Sequence, residues 1–148
     1  MIAVNNPGNI RYNPAFKGCT GQSKGFCNFS SPGYGYRAIL VLLTTYYTRY
    51  GLNTIRKIIN RYAPPSENKT ETYITNLSRF SGFNPDENLE KEDLIKLIPG
   101  IVRQENSINI TVAEVQNLIN SAESGTGNIA LSSLSVILAL YILYQWVK

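Results

Sequence analysis

The sequence predicts a mainly α-helical domain with an irregular N-terminal segment that holds a short hairpin, followed by a linker and a C-terminal transmembrane helix. Three observations carry this expectation. Apolar residues recur at helical spacing in five blocks between residues 37 and 121, whereas Gly and Pro are frequent through residue 35. Residues 129–147 then run for nineteen positions without a charge. The expected organisation is a globular domain over 1–120, a small-residue linker over 121–128 and a membrane anchor over 129–148.

The chain opens on Asn5-Asn6-Pro7-Gly8-Asn9-Ile10-Arg11-Tyr12. Pro-Gly interrupts both helix and strand, and amide side chains favour turns, so this stretch reads as a polar loop with a role or as a solvated N-terminal arm. Residues 13–32 read as irregular, with 25–29 as one strand of a hairpin. Residues 37–50, led in by Gly33-Tyr34-Gly35-Tyr36, are apolar on nearly every side and form the expected central buried helix, closed by Gly51. Asn53 or Thr54 caps a second helix carrying Ile55, Ile58, Ile59 and Tyr62, which stops at Ala63-Pro64-Pro65.

A third helix places Tyr73, Ile74, Leu77 and Phe80 on one face and ends at Gly82. Residues 89–104 supply a fourth apolar face, which Pro99-Gly100 is expected to kink or split, since proline in an unbroken helix costs roughly 3 kcal/mol. Thr111-Val112-Ala113-Glu114 has the form of a capping box and predicts a helix from Val112 to about residue 121. The final nineteen residues, at about 1.5 Å each, nearly span a hydrocarbon layer of about 30 Å, with Tyr144, Trp146 and Lys148 at an interfacial position. A buried core helix with Ser132, Ser133 and Ser135 is the alternative. Residues 1–4 are too short for a signal peptide, and no Sec-type export signal is visible.

With 148 residues, 43% hydrophobic and 16% charged, the chain has one domain's worth of core and is not a disordered protein. Its charge of +4 is spread along the sequence without a basic run, which argues against a nucleic-acid partner and suits an anionic surface such as a cell envelope. Ten Tyr, five Phe and one Trp provide faces for sugar rings. Without histidine, and with only Cys19 and Cys27, a His-dependent triad and an ordinary zinc site are excluded, and no metal or cofactor is expected. The cysteines enclose a short loop and pair as a disulfide if the chain matures outside the cytosol, or remain thiols otherwise.

The chemistry left is that of carboxylates. Asp86, Glu87, Glu90, Glu92 and Asp93 read as the solvated start of a helix, Glu114 belongs to its capping box, Glu123 to the linker, and Glu71 to an exposed first turn. Glu67 precedes a helix and reads as a neighbour of its N-terminal cap, or as a reserve base or nucleophile. Glu105 ends an apolar helix half out of water, where general-acid work is plausible.

The ordered blocks Asn5 to Tyr12, Phe26 and Phe29, Gly35-Tyr36-Arg37-Ala38, Thr54-Ile55 with Ile58-Ile59, and Tyr62 to Thr70 with Tyr73-Ile74 resemble a family of small phage and prophage proteins. These are named as virion structural proteins, with a namesake in the lipid-containing corticoviruses, and the resemblance covers roughly residues 4–120. The first blocks are also similar to the middle of lysozyme-like glucosaminidase domains, where an Asn-rich loop follows the catalytic helix. Here a helix ending in Glu105-Asn106 resembles the catalytic helix of lytic transglycosylases but follows the loop, so the resemblance implies a lysozyme-like domain in circularly permuted order. Ser107 stands where the pattern has Gly.

The resemblance implies a virion-associated, membrane-anchored protein that cleaves peptidoglycan during envelope penetration or host lysis, with Glu105 as acid. Asn5, Asn6, Asn9 and Arg11 would hold sugar or peptide groups, and Tyr12 would stack. It places the chain in the virion membrane, and in the host membrane before assembly, held through 129–147 beside other virion proteins. The alternative is a non-catalytic virion membrane protein of lysozyme-like shape that binds glycan.

Overall fold

Ser31 and Pro32 start the longest helix, with proline at the first helical position where its missing N–H costs nothing. A computed structural model describes residues 3–66 and 68–125. It contains an antiparallel pair, β1 (Cys19–Ser23) and β2 (Phe26–Phe29), then α1 (Pro32–Tyr50), α2 (Ile55–Tyr62), α3 (Thr70–Ser81), α4 (Leu94–Asn106) and α5 (Val112–Glu123). A single 3-10 turn, Lys91–Asp93, leads directly into α4.

The hairpin closes through Lys24 and Gly25, both at positive φ (51° and 83°), the backbone that a two-residue turn needs to match strand twist. A register irregularity between Cys19 and Gly21 sets Cys19 opposite Phe29. The polar loop lies along β2 almost as a third strand. Phe29 N–H donates to the Val4 carbonyl (3.0 Å), Cys27 N–H to Ile10 (2.9 Å), and Tyr12 N–H to the Gly25 carbonyl (2.8 Å).

The helix expected to begin at Arg37 begins five residues earlier and contains Gly33 and Gly35. The cause is tertiary. A Cβ on Gly35 would stand 2.1 Å from the Asn5 carbonyl oxygen, and one on Gly33 equally close to that of Leu118, so these glycines let the polar loop and α5 touch the α1 backbone. Ile39 and Leu43 of α1 meet Ile58 and Ile59 of α2, Ile74 and Leu77 of α3, Leu97, Ile98 and Ile101 of α4, and Val115 of α5 in one core cluster. Helix α1 packs on α2, α4, α5 and β2, and α4 lies between α3 and α5.

Pro99 does not split α4, which runs unbroken through it. Leu94, Leu97, Ile98, Ile101 and Val102 are all fully buried, and five such side chains at about 1.5–3 kcal/mol each outweigh the roughly 3 kcal/mol cost of the proline. The helix starts at Leu94 after an extended Glu90, later than expected, and continues to Asn106. Thr54, not Asn53, caps α2 by accepting from Lys57 N–H (3.2 Å). The Thr111 box forms as its spacing predicts, Glu114 N–H donating to Thr111 Oγ1 (3.2 Å) and Thr111 N–H to Glu114 Oε2 (2.8 Å). Helix α5 extends through Glu123, which meets Arg37 at 2.9 Å, so the helix reaches into the expected linker.

The expected fold class is corrected in its membrane part. The fold is mainly helical with one two-stranded sheet, and among the described residues no helix is long and apolar enough to cross a membrane. The longest, α1, is interrupted by Arg37 and Arg49, and its apolar side faces the other helices. The C-terminal transmembrane helix placed on 129–148 lies outside the described residues.

Candidate functional site

The polar loop has two halves with different partners. Asn6 is 7% exposed; its amide donates to the Ile10 and Cys27 carbonyls (2.9 and 2.8 Å), and its oxygen accepts from Ile10 N–H (2.8 Å). Asn5, at φ 54°, donates from its amide to the Phe29 carbonyl (2.9 Å). Asparagine tolerates this left-handed backbone better than most residues. Both amides therefore bind the loop to the hairpin, and neither lines the adjacent cleft.

Asn9, also left-handed at φ 49°, turns its amide the other way and donates to Glu105 Oε2 at 2.8 Å. Tyr73 of α3 donates its hydroxyl to Glu105 Oε1 at 3.0 Å. Asn106 donates to the Pro7 carbonyl (2.8 Å) and contacts Asn9 Oδ1 (3.4 Å), so consecutive residues at the end of α4 hold the loop at two points. The Tyr62 hydroxyl donates to the Gly8 carbonyl (2.5 Å). A Cβ on Gly8 would stand 2.7–2.8 Å from Ile39 and from that hydroxyl, so the loop enters the angle between α1 and α2 only as glycine.

Glu105 lies half-buried at the C-terminal end of a helix, where the macrodipole disfavours negative charge. Two donated hydrogen bonds offset that cost. Burial and the nearby Glu105 charge push the hydroxyl ionisations of Tyr73 and Tyr62 far upward, so both remain donors throughout the physiological range. Their rings meet edge to face at 6.5 Å and back the carboxylate with apolar surface.

Around this carboxylate opens a cleft of about 620 Å3. One wall is the loop, with Asn9, Arg11, Tyr12 and Asn13, backed by Phe16 and Phe26; the other is built by Leu42 and Tyr46 of α1, Arg61 and Tyr62 of α2, and Asn68. Tyr12 is 41% exposed, and the Arg11 guanidinium lies 6.0 Å from the Phe26 ring centroid. Arg61 stacks on Tyr50 (4.1 Å) and Tyr46 (5.3 Å); burial raises the Tyr46 hydroxyl ionisation and the Arg61 charge partly restores it. Among the described residues the cleft is lined by amides, tyrosines, the Glu105 carboxylate and arginines, a lining that suits a polar ligand.

Of the residues singled out in the sequence, the structure thus brings Asn9, Arg11, Tyr12 and Glu105 to one cleft and assigns Asn5 and Asn6 to the hairpin. Glu67 lies outside the described residues. Cys19 and Cys27 are thiols with sulfurs 3.2 Å apart, and burial pushes the Cys27 thiol up. Among the described residues no group of acids or cysteines is arranged to hold a metal. Sequence reasoning missed Tyr73, Tyr62 and Arg61, whose helical spacing shows only the apolar bodies of the tyrosines. The acidic group at 86–93 also divides, because Asp86 meets Arg56 at 2.8 Å, and those hydrogen bonds hold its carboxyl below the usual range.

No family model matches the chain. The chain is similar to Protein P5 of Pseudoalteromonas phage PM2, with 37% identity over 84 residues, 57% of this chain and 52% of that protein. The chain spans about half the length of this relative, and the similarity is to a bacteriophage protein.

Proposed function

We propose that the chain is a phage virion protein that binds peptidoglycan in the loop–α4 cleft and cleaves its glycan through Glu105, for envelope penetration or host lysis. The similarity to a phage protein supports the setting, with other virion proteins as partners. The observation that carries the chemistry is the contact of Glu105 with Asn9, 96 positions away in sequence, at the wall of a cleft rich in amides and tyrosines. The lysozyme-like and lytic-transglycosylase resemblance supplies the reaction class.

In this reading a protonated Glu105 gives its proton to the glycosidic oxygen, and the leaving sugar departs as an alcohol. The cleft lining contains no second described carboxylate. The N-acetyl oxygen of the cleaved sugar closes on the anomeric carbon as the bond to the leaving oxygen breaks; the Glu105 carboxylate then takes the proton of that sugar's 6-hydroxyl or of a water, whose oxygen bonds to the anomeric carbon as the N-acetyl oxygen leaves. Asn9 and Tyr73 keep the carboxyl aimed, and Arg11 and Tyr12 hold the glycan.

The second reading is a virion protein that binds glycan without cutting it. It is favoured by the engagement of both Glu105 oxygens by Asn9 and Tyr73, which occupies the carboxyl with the protein's own donors. Zymography on purified cell walls separates the two. Wild type is expected to clear the gel, and Glu105→Gln to lose at least about a hundredfold, the usual worth of a general acid. If neither clears while wild type still sediments with cell walls, the binding reading replaces the enzymatic one; equal clearing by both moves the acid elsewhere.

A further inference from the structure

Arg61 is a cation of this cleft held between two tyrosine rings. The described ion pairs are Arg37–Glu123, Arg56–Glu71, Arg56–Asp86 and Lys96–Asp93, and none involves Arg61. Its guanidinium lies 4.1 Å from the centroid of the Tyr50 ring and 5.3 Å from that of Tyr46, while the residue lines the same cleft as Glu105 and the Asn13 and Asn68 amides. The guanidinium also hydrogen-bonds the Tyr46 hydroxyl, and a planar fork with five N–H donors retains others that can take a carboxylate with two parallel hydrogen bonds. Glu105 does not answer that charge, because its described partners are the neutral Asn9 and Tyr73.

Resting on the peptidoglycan reading above, we propose that Arg61 binds a stem-peptide carboxylate, so that the cleft selects peptide-bearing glycan over neutral N-acetylglucosamine polymer. The amides then meet the N-acetyl groups, and the stacked guanidinium marks the side on which the peptide leaves the sugar chain. Arg61 is exposed, so a pair of this kind is worth a few-fold in affinity, up to about fivefold.

The test titrates the full chain by calorimetry with a soluble disaccharide-tetrapeptide, the same compound with its peptide carboxylates amidated, N-acetylchitopentaose and polyglycerol phosphate. Wild type is expected to prefer the carboxylate form over its amidated twin by about three- to fivefold. Arg61→Gln should erase that preference while keeping the amidated affinity, and Arg61→Lys should restore part of it. Equal binding of the two forms by wild type overturns the inference and leaves the glycan reading standing, as does a preference that survives in Arg61→Gln. Binding of polyglycerol phosphate but of no disaccharide assigns the cation to a phosphate polymer and overturns the proposed source. No binding of any sugar overturns the peptidoglycan reading itself. The wild-type comparison decides the matter even if Arg61→Gln fails to fold.

Discussion

Asn5 and Asn6 are spent inward on the hairpin, whereas Asn9, three positions on, is spent outward on Glu105. Residue type does not separate them, since all three are asparagines in one loop, and Asn5 and Asn9 even share a left-handed backbone. What separates them is the wall each faces. The first half of the loop is effectively an edge of the sheet, and the second half is a lip of the cleft. A polar loop can thus be half scaffold and half site, and the two halves should respond to mutation in opposite ways.

Asn6→Ala tests the difference most strongly. It strips a partner from Ile10 N–H and from the Ile10 and Cys27 carbonyls, all at a buried position, and is expected to cost about 3 kcal/mol in urea unfolding. Asn9→Ala removes a hydrogen bond at an exposed position and puts alanine on a left-handed backbone, and should cost about 1–2 kcal/mol, less than Asn6→Ala. Its effect is expected instead in cell-wall clearing, lowered about tenfold as Glu105 loses a donor. A large stability loss from Asn9→Ala, or none from Asn6→Ala, would erase the distinction between the halves.

Oxidation probes the scaffold half from beneath. The Cys27 backbone accepts from Asn6 and donates to Ile10, and its sulfur lies 3.2 Å from that of Cys19. Treatment with oxidised glutathione is expected to form the Cys19–Cys27 disulfide with release of two glutathione thiols. Closing so short a loop contributes up to about 2.5 kcal/mol, read as a shift in the urea midpoint and the loss of both titratable thiols. Thiols that persist under oxidant would show that the hairpin cannot bring the sulfurs into bonding geometry.

How much of this was legible in the sequence depended on whether the cause was local. The Thr111–Glu114 box satisfies a helix end within three residues and its spacing alone announces it, while the α2 cap is legible only as Asn53 or Thr54. Gly33 and Gly35 looked like a loop because their use depends on Leu118 and Asn5, which no local rule connects to them. Pro99 reads as a break because the burial that outweighs it comes from three other helices. The cleft divides in the same way. An acid at a helix end and an amide-rich loop are visible, whereas the hydroxyls of Tyr62 and Tyr73 find Gly8 and Glu105 only in three dimensions.

Ser107 gives the smallest effect and tests the cleft half from the α4 side. It caps the helix at φ 57° and ψ 26°, with its N–H donating to the Arg103 carbonyl (3.0 Å), one residue beyond the Glu105-Asn106 pair that grips the loop. A non-glycine residue in this region costs roughly 1–2 kcal/mol, partly returned because glycine has more unfolded freedom to lose. Ser107→Gly is therefore expected to stabilise the chain by under about 1 kcal/mol, a rise in Tm of a few degrees by calorimetry. Because the cap hydrogen bond is made by the backbone, Glu105 and Asn106 should keep their partners and clearing should be unchanged. If the variant gained stability but lost activity, the strained serine would be positioning the acid, and the outward half of the site would extend past Asn9 to the helix cap itself.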